Sequence, residues 1–466
     1  MSITKSHTTN GQRSWTDSRD LTKTFTSRIT GTKSVFWYLV AIFTTLFTIG
    51  IVAFVLKLYD VGTDSPKNWG YYAALVSFIL TTFQSAPMAA IAPRIAKAHW
   101  RRPFSRIAEI FCVAGSINVL FFIPLVWILP GLENGRRSLW FYQDLPWVPS
   151  SMPQIISTIA IVSLSVCGLM LVWLSSSPDM SIMKNHTTGI RKFLQTRLGS
   201  WWIGSSAQWF TIHHRLGILG AFYFMSLIAV HFTFASDFCM ALVPGWIDAL
   251  FPVTHAHNSL QAGVSIVILT MYLMHKFGGY KEEIGLDQFW GIGKLQFALC
   301  ILWFWFWFSS FIVLWYGGKP AERSVIELLI TGPYLLVFVA IFCLNFLIPL
   351  CTMIWNPLRV SILGPTIIAV SVLIGTALDR IRLYVAAYSV SEQAPAHELQ
   401  YIPSAIAPSA YDILIWIGAI SACILIYLLT TKVFPIINIW EQKELLLYKY
   451  HKKFHRTEVL VLGKPE

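Results

Sequence analysis

The chain has 466 residues, is 55% hydrophobic and only 12% charged, and carries a formal net charge of +12. Soluble domains carry about 25% charged residues, so a string of soluble domains is excluded, and runs of about twenty apolar residues recur, each long enough to cross the hydrocarbon core as a helix. The basic excess lies in short connections between those runs, as membrane topology requires, and gives no sign of nucleic-acid binding.

Residues 1–33 are polar and rich in Ser and Thr, a segment expected to be partly disordered unless a partner holds it. No signal peptide is visible, because the first apolar run is too long for an h-region. Ten apolar runs follow and predict ten transmembrane helices within residues 34–430. They are Val35–Leu56, Trp69–Ala92, Ile107–Leu129, Ile155–Leu174 and Leu216–Phe234, then Leu260–His275, Leu295–Tyr316, Gly332–Trp355, Val360–Asp379 and Ile413–Leu429. The sixth is the shortest. A basic tail, 431–466, completes the chain. Counted outside the runs, 27 of the 35 Lys and Arg fall on the side of the two termini. That asymmetry puts both termini and the tail in the cytoplasm.

Two connections are long. In 175–215, Ile190, Phe193, Leu194 and Leu198 recur at helical spacing with Arg191, Lys192 and Arg197 between them, the pattern of an interfacial amphipathic helix. The outer connection, 235–259, holds Asp237, Asp248, His255 and His257 and no Lys or Arg.

Ionisable groups inside spans are costly and mark candidate sites. The chain offers Gln84 and Ser85 in the second run, Glu109, Ser116 and Asn118 in the third, and His231 near the outer end of the fifth with Asp237 beyond it. Asn345 lies in the eighth run, and Thr376, Asp379 and Arg380 close the ninth, followed by Arg382. Each has a plainer reading. Glu109 stands one turn from Arg106 and can form an i, i+3 ion pair. Asp379 and Arg380 can snorkel to the interface. His231 can satisfy a helix–helix hydrogen bond. As proton-path candidates, Glu109, Ser116 and Asn118 form an inner half, with Glu109 and Ser116 on one helix face. Thr376, Asp379, His231 and Asp237 form an outer half.

Only His231 and His275 lie in or beside the runs, at opposite faces, so no b-type haem is expected. The seven cysteines include no C-x-x-C pair, so no metal, iron–sulfur or covalent haem site is indicated. No Ser–His–Asp set, P-loop or zinc-protease motif occurs, and no catalytic residue is assigned. The run Trp303-Phe304-Trp305-Phe306-Trp307-Phe308 covers every side of a helix, as a lipid or packing surface does.

Several segments together resemble a known family. They are Trp100-Arg101-Arg102-Pro103 before Ser105-Arg106-Ile107-Ala108-Glu109, Val230-His231, Asp237-Phe238, Leu242-Val243-Pro244-Gly245-Trp246 and Phe251-Pro252. Further on come Trp315-Tyr316-Gly317-Gly318-Lys319-Pro320, Thr331-Gly332-Pro333-Tyr334 and Asp379-Arg380. In order and spacing, from about residue 34 to 430, they resemble the NrfD/PsrC-like membrane subunits of alternative complex III. The resemblance implies an all-α, polytopic fold of about ten transmembrane helices, built on a pair of four-helix bundles plus flanking helices, in the bacterial cytoplasmic membrane. It implies a quinol-oxidising complex with a second NrfD-like subunit, an iron–sulfur subunit, c-type haem subunits and small membrane subunits as partners. Haems and iron–sulfur clusters would sit on those partners. This chain would bind no covalent cofactor, and menaquinone or lipid is the candidate bound molecule. The quinol-binding subunit of the family has a histidine where this chain has Gln84, so the likeness is to the ActF-type subunit, an anchor with a proton path. Two alternatives stay open: the quinol-oxidising subunit itself, using His231 and Asp237, and an unrelated secondary transporter.

Overall fold

A computed structural model describes residues 15–31, 34–131, 138–139, 149, 151–393, 397–454 and 457–462. In chain order the helices are α1 (Trp15–Thr30), α2 (Ser34–Val61), α3 (Gly70–Thr82), α4 (Met88–Ile95), α5 (Ser105–Gly115) and α6 (Asn118–Ile128). Next come α7 (Met152–Met183), α8 (Gly189–Leu198), α9 (Ser206–Phe238), α10 (Phe251–Lys276), α11 (Leu286–Gly317) and α12 (Pro320–Ile326). The last are α13 (Leu335–Phe342), α14 (Ile348–Ile354), α15 (Asn356–Arg359), α16 (Leu363–Ser389), α17 (Ala410–Thr430) and α18 (Ile439–Tyr448). A small antiparallel hairpin, β1 (Lys449–Phe454) and β2 (Thr457–Leu462), follows α18.

Among the described residues, seven helical stretches are long and apolar enough to cross a membrane: α2, α5–α6, α7, α9, α11, α13–α14 and α17. The chain is a multi-pass membrane protein. The other three expected runs are helical too, as α3–α4, α10 and α16, but are not among those seven. The first is broken into helices of 13 and 8 residues, and the other two carry buried polar groups, His255, Asn258 and Gln261 in α10 and Asp379, Arg380 and Arg382 in α16. Helices α3, α10 and α16 pack against one another and are buried along most of their length. A helix that meets protein on all sides can carry polar groups that a lipid-facing helix cannot. α2, by contrast, is apolar nearly all round and only 11% buried. It packs on α17, where Gly50 and Gly418 cross so closely that a Cβ on Gly50 would lie 2.6 Å from the Gly418 Cα. Small residues are what let two backbones approach in this way.

Two helices are interrupted. The second expected run breaks at residues 83–87, ahead of α4. Pro87 has no N–H to continue the ladder, and it disfavours helix at the residue before it. There Gly263 of α10 takes the place of a side chain, since a Cβ would sit 2.6 Å from the Ser85 carbonyl. The third run breaks at Ser116–Ile117, between α5 and α6. The eighth contains a π-helical turn, Cys343–Leu347, between α13 and α14.

Several boundaries differ from expectation. Residues 15–30, within the segment expected to be partly disordered unless a partner holds it, form α1, which packs against α18; residues 1–14 lie outside the described set. The tail from 431 is not free of the bundle: Asn438 and Glu441 are fully buried. The outer connection is shorter than expected, because α10 begins at Phe251. α1, α8 and α18 gather at one end of the bundle, where Arg191 of α8 donates to the Ile29 carbonyl at 3.2 Å and Gln195 to the Val433 carbonyl at 3.2 Å. This is called the basic end below, and the opposite end the far end.

Candidate functional site

Phe251–Pro252 starts α10 with proline at its first turn, where the missing N–H costs nothing. The helix then carries His255, Asn258, Gln261 and Ser265 along one stripe, all buried. His255 meets His231 of α9 with their Nδ1 atoms 2.9 Å apart. His255 Nε2 lies 3.1 Å from both the Ser77 hydroxyl of α3 and the Tyr384 hydroxyl of α16. His231 Nε2 lies 3.5 Å from Ser85 Oγ, which donates to the Leu80 carbonyl at 3.0 Å.

One set of tautomers satisfies these contacts while Ser85 donates to Leu80. In that set the Ser85 proton goes to Leu80, and His231 Nε2–H is directed at Ser85 Oγ, 3.5 Å away. His231 Nδ1 is then the acceptor, and His255 Nδ1–H donates to it. His255 Nε2 is left to accept from Tyr384 or Ser77. Every neutral imidazole has one donor and one acceptor nitrogen, so reversing both rings would pass a proton from the Tyr384 side to the Ser85 side with no charge left behind.

Next to the pair, Arg380 donates to Asn258 Oδ1 at 2.5 Å, and the Asn258 amide donates to Thr376 Oγ1 at 3.3 Å. Asp379 accepts from Arg382 at 2.8 Å and lies 3.9 Å from Arg380. His255, Asp379, Arg380 and Asp248 share the wall of a far-end cavity of about 70 Å³ with Trp303 and Trp307. Ser310 donates to Asp248 there. A cavity of that size has room for a few waters. It is well below the roughly 300–1,000 Å³ of sites that enclose organic ligands.

The structure therefore brings together His231, Thr376, Asp379 and Arg380, and adds His255, Asn258, Tyr384 and Ser77. Asp237 stands apart, accepting from the Ser138 hydroxyl at 2.6 Å and the Leu139 N–H at 3.1 Å. Gln84 and Asn118 form a second polar group. Asn118 donates to Gln84 Oε1 at 3.0 Å, Gln84 donates to Ser165 Oγ at 3.2 Å, and Tyr223 donates to the Gln84 carbonyl. Asn345, in the π-helical turn, is fully buried against Gly375, and its amide finds no hydrogen-bond partner among the described residues. Turns of this kind recur at functional sites.

Glu109 lies in a different constellation, at the basic end. It pairs with Arg94 at 2.5 Å and with Arg106 at 3.3 Å, and accepts from Ser175 at 2.6 Å. Arg106 also reaches Asp179 at 3.3 Å, and Arg101 pairs with Glu441 of α18 at 2.9 Å. The i, i+3 pair with Arg106 is present, but the groups are buried and not at a hydrated surface. Burial alone would raise the Glu441 carboxyl. The guanidiniums of Arg101 and Arg94 outweigh it and hold the group at about 2. The helical face that Glu109 and Ser116 would share is not continuous, because α5 stops at Gly115; Ser116 donates back to the Val113 carbonyl at 2.8 Å.

The sequence reading placed His255 in the outer connection, and it missed Asn258 and Tyr384 of the far-end network and Arg94, Asp179 and Glu441 of the basic-end one. A signal for α10 was present: His255, Asn258, Gln261 and Ser265 recur at three- and four-residue spacing, the period of one helix face. No protein-family model matches this chain, and no curated protein matches it.

Proposed function

We propose that this chain is a membrane subunit of a quinol-oxidising complex similar to alternative complex III, of the ActF type. It sits in the bacterial cytoplasmic membrane with the basic end and both termini facing the cytoplasm. In this reading α3–α4, α10 and α16 also cross, giving ten spans in two four-helix bundles with flanking helices. The chain anchors the second NrfD-like, iron–sulfur and c-type haem subunits, which carry the redox centres, and it contributes a proton route. The observation that carries the reading is the His231–His255 pair, with hydroxyls on both sides and a cavity beside it that suits water better than a quinone ring.

The test is gentle purification of tagged protein followed by labelling with a photoreactive quinone. Haem and iron–sulfur absorbance in the preparation, with label on a partner subunit, is the expected result. A colourless preparation rejects the complex. It would favour a secondary transporter, a reading to which the interrupted α3–α4 and α5–α6 helices give some support. Label on α10, α11 or α16 would make this chain the quinol-oxidising subunit, a second reading favoured by His255 and Arg380 on an aromatic cavity wall.

A further inference from the structure

On the outer surface of α7, facing where lipid would lie, Val166, Leu169, Met170 and Trp173 form an apolar groove of about 400 Å³. Val113 of α5 and Phe434 close its sides, and Leu198, the last residue of α8, stands at its basic end. The groove holds no charged residue. Its mouth is built firmly. The Trp173 indole donates to the Leu198 carbonyl at 3.0 Å, and the Trp201 indole donates to Ser177 Oγ at 2.9 Å. Tryptophans with one apolar and one hydrogen-bonded edge sit where hydrocarbon meets head groups.

The two segments that form the mouth are basic and carry no acid. No Asp or Glu occurs between Asp179 and Asp237, or between Asp412 and Glu441. α8 contributes Arg197, next to Leu198, and Lys192 five residues earlier; Lys432 lies two residues before Phe434. No ion pair to Lys192, Arg197 or Lys432 occurs among the described residues. Burial lowers the Lys432 ammonium, and the Arg191 guanidinium nearby lowers it further, so the two segments bring like charges together at this end of the bundle. Elsewhere at the same end, Arg94, Arg101 and Arg106 are each matched by a carboxylate. The contrast is between guanidiniums answered by carboxylates and cations whose contacts are aromatic rings, Phe193 for Arg197 at 5.6 Å and Phe36 of α2 for Lys432 at 4.3 Å. On α8 itself, Ile190 and Phe193 are 80% and 60% exposed, an apolar edge that would lie in the same leaflet.

We propose that this groove is a binding site for an anionic phospholipid of the leaflet at the basic end, with an acyl chain along Val166–Trp173 and the phosphate against Arg197, Lys192 and Lys432. A zwitterionic lipid would fill the groove equally well but would leave the cations unmatched. Each basic residue near an anionic head group contributes roughly a fivefold factor in affinity, so removing two should weaken binding by about 30-fold.

The experiment uses the protein, or the complex that contains it, in native membranes and then in detergent. A photocrosslinking amino acid at Met170 should yield a phospholipid adduct by mass. Native mass spectrometry should show phosphatidylglycerol held in preference to phosphatidylcholine of the same chains. The Arg197→Gln/Lys432→Gln double variant should lose phosphatidylglycerol affinity by about 30-fold, with phosphatidylcholine binding and thermal stability unchanged. Leu169→Trp, which fills the groove, should reduce binding of both lipids. A polypeptide adduct at position 170 overturns the proposal in favour of a partner helix. Equal retention of the two lipids, or a double variant within twofold of the parent, overturns it as well.

Discussion

The two polar centres of the bundle are both buried, yet they are built from opposite materials. At the basic end three guanidiniums, Arg94, Arg101 and Arg106, face three carboxylates, Glu109, Asp179 and Glu441. Near the far end the His231–His255 pair is a neutral network with hydroxyl partners. Full charges removed from water hold their partners hard, because a lone buried charge is costly. Neutral imidazoles and hydroxyls can exchange roles at little cost. The first centre is suited to fixing chain segments together and the second to moving protons.

The largest effect should come from breaking the ionic centre. Glu441→Ala leaves Arg101 and part of Arg94 buried without a carboxylate, and should destabilise the protein by about 3–5 kcal/mol. Thermal unfolding and protease cleavage of α18 would report it, and a loss below about 1 kcal/mol would mean the cluster is hydrated. The same group sets a pH limit. Its carboxyl is held at about 2, below the ordinary 4.5. Its stabilising contribution is therefore complete above about 4.5 and is lost as the pH falls towards 2. Protease access to α18 should rise across that interval in the parent and not in a Glu441→Gln variant.

An intermediate effect is expected at Gln84. Gln84→Leu removes the hydrogen bonds to Asn118 and Ser165, at about 1 kcal/mol each, while Asn118 still donates to the Val76 carbonyl and Ser165 to the Ile161 carbonyl. It removes no proton-exchanging group, so quinol turnover by an assembled complex should stay near the parent value. A fall of orders of magnitude with assembly intact would place quinol chemistry at Gln84.

The smallest effect on stability, about 1 kcal/mol or less, should come from His255→Gln, which keeps a donor and an acceptor. It cannot exchange a proton near neutral pH. Proton movement into vesicles should therefore fall at least tenfold while thermal unfolding barely moves. Unchanged proton movement would reduce the far-end network to a packing element.

The same contrast explains what could be read in the sequence. The lipid-facing helices α2, α7, α9, α11 and α17 are legible because their apolar runs are nearly unbroken. α10 is not. Its first turns contain His255, His257, Asn258 and Ser259, which read as an outer loop until α3 and α16 are in place to bury them. The Glu109–Arg106 pair is local and could be foreseen from spacing. Arg94, Ser175 and Glu441 reach the same spot from distant parts of the chain, and residue spacing does not encode that meeting. The break at Ser116 went unseen because a glycine before a serine is also tolerated inside a helix.

The crossing of α2 with α17 has a consequence for biosynthesis. Lys57 of α2 is almost fully buried and pairs with Asp412 of α17, a residue 355 positions later in the chain. At about 5–20 residues per second, α2 waits roughly 20–70 s in the membrane before the residues that match its ammonium and its Gly50 seam have been made. Through that interval the lysine must stay at the water interface, where its long stem allows it to reach out. Helix α2 is thus held in a provisional position, and the late arrival of α17 fixes it in place.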